Sequence, residues 1–488
     1  MSNRWVVSQS GFFNCHRLPP VDGLTQQSDA IRPLSYRWTI SNRVLRHRRT
    51  VSVGTEVGPR WLRISLAFVA LSAFGPYVAG GMRTEQVTVY TAAGVGILLC
   101  GWTRVRPTAL GALVLGLLLI EWVVAVIGAI VVPPNLSPFP FGNKLAGLDN
   151  LTLPIAVLGF VWLIQAAHSD HNRQLQTVCR VVVIAMCANA LLAYWSQAHD
   201  LTPLLRHFWD SAGLTGSDSV AGRSAQLGRF TGLFNEPAEA GLMYSIALLS
   251  AIYLYRSRSI RLALIAALLI MGGVLTVSKT FLLVGLPIAA FQLLQSPGRR
   301  RRVLAFVAVG VCASVVNGSG VMRNWIGGRF LSNLLHPQAG LIEVYTAGRF
   351  GQQSTLGGVT AAVLHNEPLF GFGAAGLAVP YDNAWVEALA VSGLMGALAF
   401  SGLFAAFAVG CRRIQIRANR RFAGGLLMAL LGASLGLPAL TANRCATVVW
   451  LLLGLSMDPL IQIVAVQCDG KGPMGSSPEA TCPVPSSV

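Results

Sequence analysis

Apolar runs of roughly 20 residues recur along almost the whole chain, and this recurrence constrains the fold more than any other feature. A helix needs about 20 apolar residues to cross the hydrocarbon core of a bilayer. The runs Trp61 to Gly80, Gln86 to Trp102, Thr108 to Val132, Asn150 to Ala167, Thr177 to Trp195, Ala238 to Tyr255, Ile260 to Thr276, Phe281 to Leu294, Val303 to Ser319, Ala384 to Cys411, Phe422 to Leu440 and Ala446 to Val466 make about twelve spans. Each is continuous and lacks the period-two alternation of a barrel strand, so the expected fold is all-α, a polytopic integral membrane protein. Only 11% of the 488 residues are charged, whereas an ordinary soluble domain carries roughly a quarter, so residues 61–466 do not read as a soluble fold.

The net charge of +18 would point a soluble protein toward nucleic acid, but its placement argues for a membrane instead. Arginines cluster at Arg43 to Arg49, Arg104 and Arg106, Arg256 to Arg261, Arg299 to Arg302 and Arg412 to Arg421, in alternate connections. That alternation is the positive-inside pattern; it puts 27 Lys and Arg on the cytoplasmic side, 10 on the outer side, and both termini in the cytoplasm. The stretch Ile260 to Leu294 is too long for one span and has arginines at both ends, so it crosses twice and sets Ser278, Lys279 and Thr280 at the outer tip of a hairpin. Residues 1–60 read as a basic cytoplasmic tail, with no short apolar core and cleavage site, and residues 467–488, rich in Ser, Pro and Gly, as a disordered one. The nine cysteines lie in spans or on the inner side, apart from Cys445 near a short outer turn, so no disulfide framework is implied.

Two long outer loops interrupt the rhythm, residues 196–237 and 320–383, and long polar loops on a compact membrane scaffold are where binding or catalysis is expected. The first ends in Gly228-Arg-Phe-Thr-Gly-Leu-Phe-Asn-Glu-Pro-Ala-Glu-Ala-Gly241; the second carries His365-Asn-Glu-Pro-Leu-Phe-Gly-Phe-Gly-Ala-Ala-Gly376 and closes on Asp382-Asn383-Ala-Trp-Val-Glu387. Outer arginines run against the topology rule, so each needs a reason. Arg206, Arg223, Arg229, Arg323, Arg329 and Arg349 could converge on a phosphate or pyrophosphate, which guanidinium binds bidentately, or could merely anchor loops to headgroups and carboxylates. Arg229 and Arg349, each in a Gly-Arg-Phe context, are the stronger anion candidates. Glu236 before Pro237 suits the positive start of a helix, and equally a general base beside the arginines. Glu387 and Glu121 are carboxylates inside spans, costly in lipid; for Glu121 and Asp458 an interhelical hydrogen bond is the preferred reading. His365 reads as incidental, no metal-ligand spacing is present, and no P-loop or Rossmann glycine signature points to a nucleotide cofactor.

Over about Gly228 to Gly396 the chain resembles the Wzy-type polysaccharide polymerases and the related O-antigen ligases of bacterial envelopes. Arg229-Phe-Thr-Gly-Leu-Phe-Asn-Glu236-Pro237 resembles the Arg-x-x-Gly-Leu-Phe-x-Glu-Pro start of a central helix in polymerase-like members. Thr276-Val-Ser278-Lys279-Thr280 resembles the family's Ser-Arg tip, with lysine for arginine. Glu367-Pro-Leu-Phe-Gly-Phe-Gly373, followed by Asp382-Asn383 and a Gly-Leu-Met-Gly helix, resembles the Pro-Leu-x-Gly-x-Gly then His-Asn pattern, with Asp382 where many members have histidine.

The resemblance implies a bacterial inner-membrane glycosyltransferase without a cofactor, polymerising undecaprenyl-pyrophosphate-linked repeat units at the outer face during exopolysaccharide, O-antigen or capsule synthesis. It implies catalytic roles for Glu236, Asp382 and Arg229, and pyrophosphate binding by Arg229, Arg349, Lys279 and Arg329. Membrane lipids, a chain-length regulator and a flippase of the same pathway are the implied partners, and no nucleic acid. Three rivals stand beside it: a ligase that transfers finished glycan to lipid A core or protein, a flippase or exporter of lipid-linked sugars, and a sensor or structural membrane protein. Transporters usually show two related halves, and no internal repeat is visible here.

Overall fold

The computed structural model describes residues 59–78, 82–100, 105–132, 145, 147–167, 170–209, 220–295, 354–374, 376, 381–441, 443–457 and 461–463. All belong to the larger of the two units into which the chain divides, Val57–Val488. The helices are α1 (Pro59–Ser72), α2 (Thr84–Cys100), α3 (Ala109–Val131), α4 (Leu148–Ala167), α5 (His171–Trp195), the short α6 (Thr202–Trp209) and α7 (Val220–Gln226), α8 (Pro237–Leu254), α9 (Ser259–Leu275), a π-helical segment (Thr280–Gly285) continuing as α10 (Leu286–Leu294), α11 (Thr355–Asn366), α12 (Ala384–Arg413), α13 (Arg417–Ala433) and α14 (Asn443–Ser456). Two short strands, β1 (Val105–Pro107) and β2 (Ile461–Ile463), pair antiparallel with Val105 opposite Ile463.

Five helices, α3, α4, α5, α8 and α12, are long and apolar enough to cross a membrane; α9, the π segment with α10, and α14 are apolar but shorter. The described helices follow the expected spans, with three corrections. α1 stops at Ser72 because Gly75-Pro76 follows, α13 stops at Ala433 ahead of Gly436-Leu-Pro438, and α14 stops at Ser456. The span expected to continue to Val466 instead gives way to β2, and Pro459 in the sequence disfavours helix at the residue before it. The expected span Val303 to Ser319 lies outside the described residues.

Helix α8 is apolar on all sides, and accordingly every residue from Glu239 to Ile252 is buried, against α5, α9, the π segment and α13. Helix α3 is apolar all round but buries only one stripe, Val114, Leu118, Glu121, Ala125 and Gly128, at the spacing of a helix seam against α12. Its other face presents Leu113, Leu119, Ile120, Val123, Ile127 and Ile130 outward. An apolar face that wide needs hydrocarbon around it, and the chain is a multi-pass membrane protein.

Segments that the charge rule assigns to one side meet one another. At one end of the bundle, the loop end, Tyr77 N–H donates to His207 O (2.9 Å) and Ala384 N–H to Ser434 O (2.8 Å). At the opposite, ribbon end, β1 pairs β2, the Tyr253 hydroxyl lies 2.7 Å from Asn172 Oδ1 and 3.0 Å from Asn419 Oδ1, and Gln292 Nε2 donates to Arg421 O (2.8 Å).

Candidate functional site at the loop end

The segment Gly228–Glu236 has no regular structure, so its backbone groups must find partners elsewhere. They find them in buried side chains from several elements. Asn189 of α5 is wholly buried; its Oδ1 accepts from Leu233 N–H (2.8 Å), and its Nδ2 donates to Thr231 O (3.2 Å) and to the Tyr244 hydroxyl of α8 (2.9 Å). Trp209 Nε1 donates to Gly232 O (2.9 Å), and the Thr231 hydroxyl donates to Phe234 O (2.6 Å). Arg444, at the start of α14 and 3% exposed, donates Nη1 to Leu233 O and Nη2 to Phe208 O (2.6 Å). Its guanidinium also lies over the rings of Tyr77 (5.6 Å) and Phe208 (5.8 Å).

This pinned segment rests on the hairpin tip. Phe230 N–H donates to Leu275 O (2.9 Å), and Arg229 Nε donates to Thr276 O (3.4 Å). The turn expected at Ser278 to Thr280 falls at Thr276–Ser278, and it is strained: Val277, β-branched and buried, sits at φ 46°. A β-branched residue with positive φ costs about 1–3 kcal/mol and persists only where its surroundings impose it, most often at functional sites. Lys279 immediately precedes the π segment, a second irregularity that favours functional positions. Ser278 is 1% exposed and its hydroxyl has no hydrogen-bond partner. It fits against α8 because residue 241 is glycine; a Cβ there would collide with the Ser278 hydroxymethyl group.

The third motif is explained by a break in α12. Gly393 takes φ 61°, ψ −154° inside the helix, which frees the carbonyls of Ala390 and Val391 and the N–H of Leu394. Those groups pair with the glycine-rich segment: Phe372 N–H with Ala390 O (2.7 Å), Gly373 N–H with Val391 O (3.0 Å), and Leu394 N–H with Pro368 O (2.8 Å). Pro368-Leu-Phe-Gly-Phe-Gly373 is thus a docked strap. A side chain at 393 would strike the backbone of Leu369 and Phe370. Asn383 caps α12, its Oδ1 accepting from Trp385 N–H (2.9 Å) and Val386 N–H (3.0 Å), while Nδ2 donates to Leu435 O (3.4 Å).

The expected site residues are therefore distributed as follows. Arg229, Glu236 and Lys279 are half-buried on the two segments that touch. Glu236 occupies the N-cap of α8 with Pro237 after it; its side chain makes no capping hydrogen bond, and its charge sits at the positive end of the helix dipole. Asp382 is half-buried beside the Asn383 cap, next to the C-terminal end of α13; Gly432 of that same end packs on Val284 of the π segment, so α13 links the third motif to the other two. Arg329, Arg349 and Arg323 lie outside the described residues. Arg206, Arg223 and His365 are exposed. Glu121 and Glu387 are buried on facing helices, with Ser392 donating to Glu121 O (3.2 Å) and the Thr441 hydroxyl donating to the Glu387 carboxylate.

A group that the sequence reading passed over is the buried charge cluster beside the pinned loop. Arg83 (5% exposed) pairs with the fully buried Glu85 (3.0 Å), reaches Asp149 (3.7 Å) and donates to Asn150 Oδ1 (3.2 Å). Glu239, 4% exposed, has one carboxylate oxygen with no hydrogen-bond partner. Arg83 and Arg444 both break the positive-inside rule, and that was the signal available for finding them.

Beside Trp209 and Phe230 a cleft of about 60 Å³ is lined by His199, Asp200, Thr202 and Thr231. It has room for a few waters and not for a sugar ring. The Thr202 hydroxyl and amide hold the exposed Asp200 carboxyl below its usual range, whereas burial pushes the Tyr381 phenol up. Among the described residues no group of His, Cys, Asp and Glu could hold a metal ion. No protein-family profile matches the chain, and no curated protein matches it significantly.

Proposed function

We propose that the protein polymerises undecaprenyl-pyrophosphate-linked oligosaccharide repeat units at the outer face of a bacterial inner membrane, with both termini in the cytoplasm. The observation that carries this reading is the contact between the Arg229–Glu236 segment and the strained Ser278-Lys279 tip, which brings two cations and a carboxylate to one end of the bundle. The resemblance of the same two segments to polysaccharide polymerases supports it. In this reading Arg229 and Lys279, with Arg349 and Arg329, neutralise the pyrophosphate. An acceptor hydroxyl attacks the anomeric carbon, the bond from that carbon to the pyrophosphate oxygen breaks with its electron pair, and Glu236 or Asp382 takes the acceptor proton. Side-by-side binding of two lipid-linked substrates supplies orientation, and the outward apolar faces of α3 accommodate prenyl chains.

One observation favours a second reading, a flippase of lipid-linked sugars. Helix α12 is broken at Gly393 beside the buried Glu121 and Glu387, and broken helices next to intramembrane carboxylates are a transporter device. The envelope glycan profile of a deletion strain separates the readings. Single repeat units in place of long chains are expected for the polymerase. Unattached long polymer would instead identify a ligase, and inner-leaflet accumulation of lipid-linked units a flippase.

A further inference from the structure

We infer that Arg444 is the positioning residue of the loop-end site, the group that sets where Arg229 and Glu236 stand. The peptide unit around Leu233 lies midway between those two residues, and it is held from both sides: Asn189 Oδ1 takes its N–H and Arg444 Nη1 takes its carbonyl. The second arm of the same guanidinium takes Phe208 O, and Tyr77, over whose ring it lies, follows the end of α1 and donates to His207 O. One planar side chain on α14 therefore joins the pinned loop, α6 and the α1–α2 connection. A fork of this shape requires arginine, since lysine presents a point charge and cannot donate to two carbonyls in a fixed plane. The burial of the group is also informative. A desolvated guanidinium is costly, and this one spends its hydrogen bonds on neutral backbone carbonyls.

The inference rests on the proposed reading only in linking the loop to pyrophosphate. Its test uses the full chain in lipid nanodiscs, with amide hydrogen exchange and with the binding of undecaprenyl pyrophosphate as probe. In Arg444→Lys, exchange over residues 230–235 should rise about tenfold, the loss expected for a charge-assisted hydrogen bond, while the core of α8 exchanges as in the wild type. Affinity for the probe should fall by about fivefold to tenfold through misplacement of Arg229, a change that mere loss of folded protein would not produce. Wild-type exchange over residues 230–235 would overturn the inference. So would a loosened loop with unchanged affinity in a protein whose Arg229→Ala variant no longer binds. Should Arg229→Ala bind the probe as the wild type does, the pyrophosphate reading fails, and exchange alone then decides the role of Arg444. Arg444→Ala gives the same contrasts more strongly, and the lysine variant keeps the test open where alanine prevents folding.

Discussion

The two ends of the helix bundle solve the same packing problem with different chemistry. At the ribbon end the connections are tied by neutral groups, the Tyr253 hydroxyl between Asn172 and Asn419 and the Gln292 amide on Arg421 O, while Arg258, Arg261, Arg412, Arg413 and Arg420 stay exposed and Arg421 is half-buried. At the loop end Arg83, Arg444, Glu85 and Glu239 are buried, an irregular segment is pinned by side chains, and a valine is held at positive φ. Solvated charges and neutral staples suffice to hold loops together. Buried charge and backbone strain are costly, and their concentration at one end marks where the protein maintains a fixed geometry for a purpose other than stability.

That contrast can be broken by mutation. The largest loss is expected from Arg83→Ala, which leaves Glu85 as an uncompensated buried charge and should lower unfolding free energy in mixed micelles by about 3–5 kcal/mol. Asn189→Ala orphans the Leu233 N–H and should cost about 1–3 kcal/mol in the same assay, with faster exchange confined to residues 230–235. At the ribbon end Tyr253→Phe removes one hydroxyl and should cost only about 0.5–1.5 kcal/mol, with no change in loop-end exchange. Val277→Gly should be close to neutral in stability, to within about 1 kcal/mol, because released strain offsets lost burial. Arg258→Ala should be silent. A ribbon-end change as costly as Arg83→Ala would erase the distinction between the ends.

Much of the scaffold was legible in the sequence because length and hydropathy encode it directly. Helices α2 to α5 and α8 to α10 begin and end within a few residues of the apolar runs, apart from α5, which starts earlier, at His171. That Ile260 to Leu294 turns back on itself followed from arginines at both ends of one long run, with the turn expected two residues later than it falls. What escaped has a common cause, which is that local pattern does not report distant partners. The break in α12 depends on Gly393 meeting Leu369 and Phe370, and a glycine inside an apolar run carries no sign of that contact. The ribbon joins residues at opposite ends of the chain. Asn189 looks like any polar residue within a span. Arg83 and Arg444 were within reach of the rule that drew attention to Arg229, and their burial, which the sequence does not show, separates them from the exposed Arg206 and Arg223.

The claim that the loop end is the working end is tested most directly by complementing a deletion strain with two single variants and reading the envelope glycan on a gel. Arg229→Ala, inserted at wild-type level, should leave single repeat units, while Arg420→Ala at the ribbon end should restore long chains. Long polymer from the Arg229→Ala strain would contradict the account.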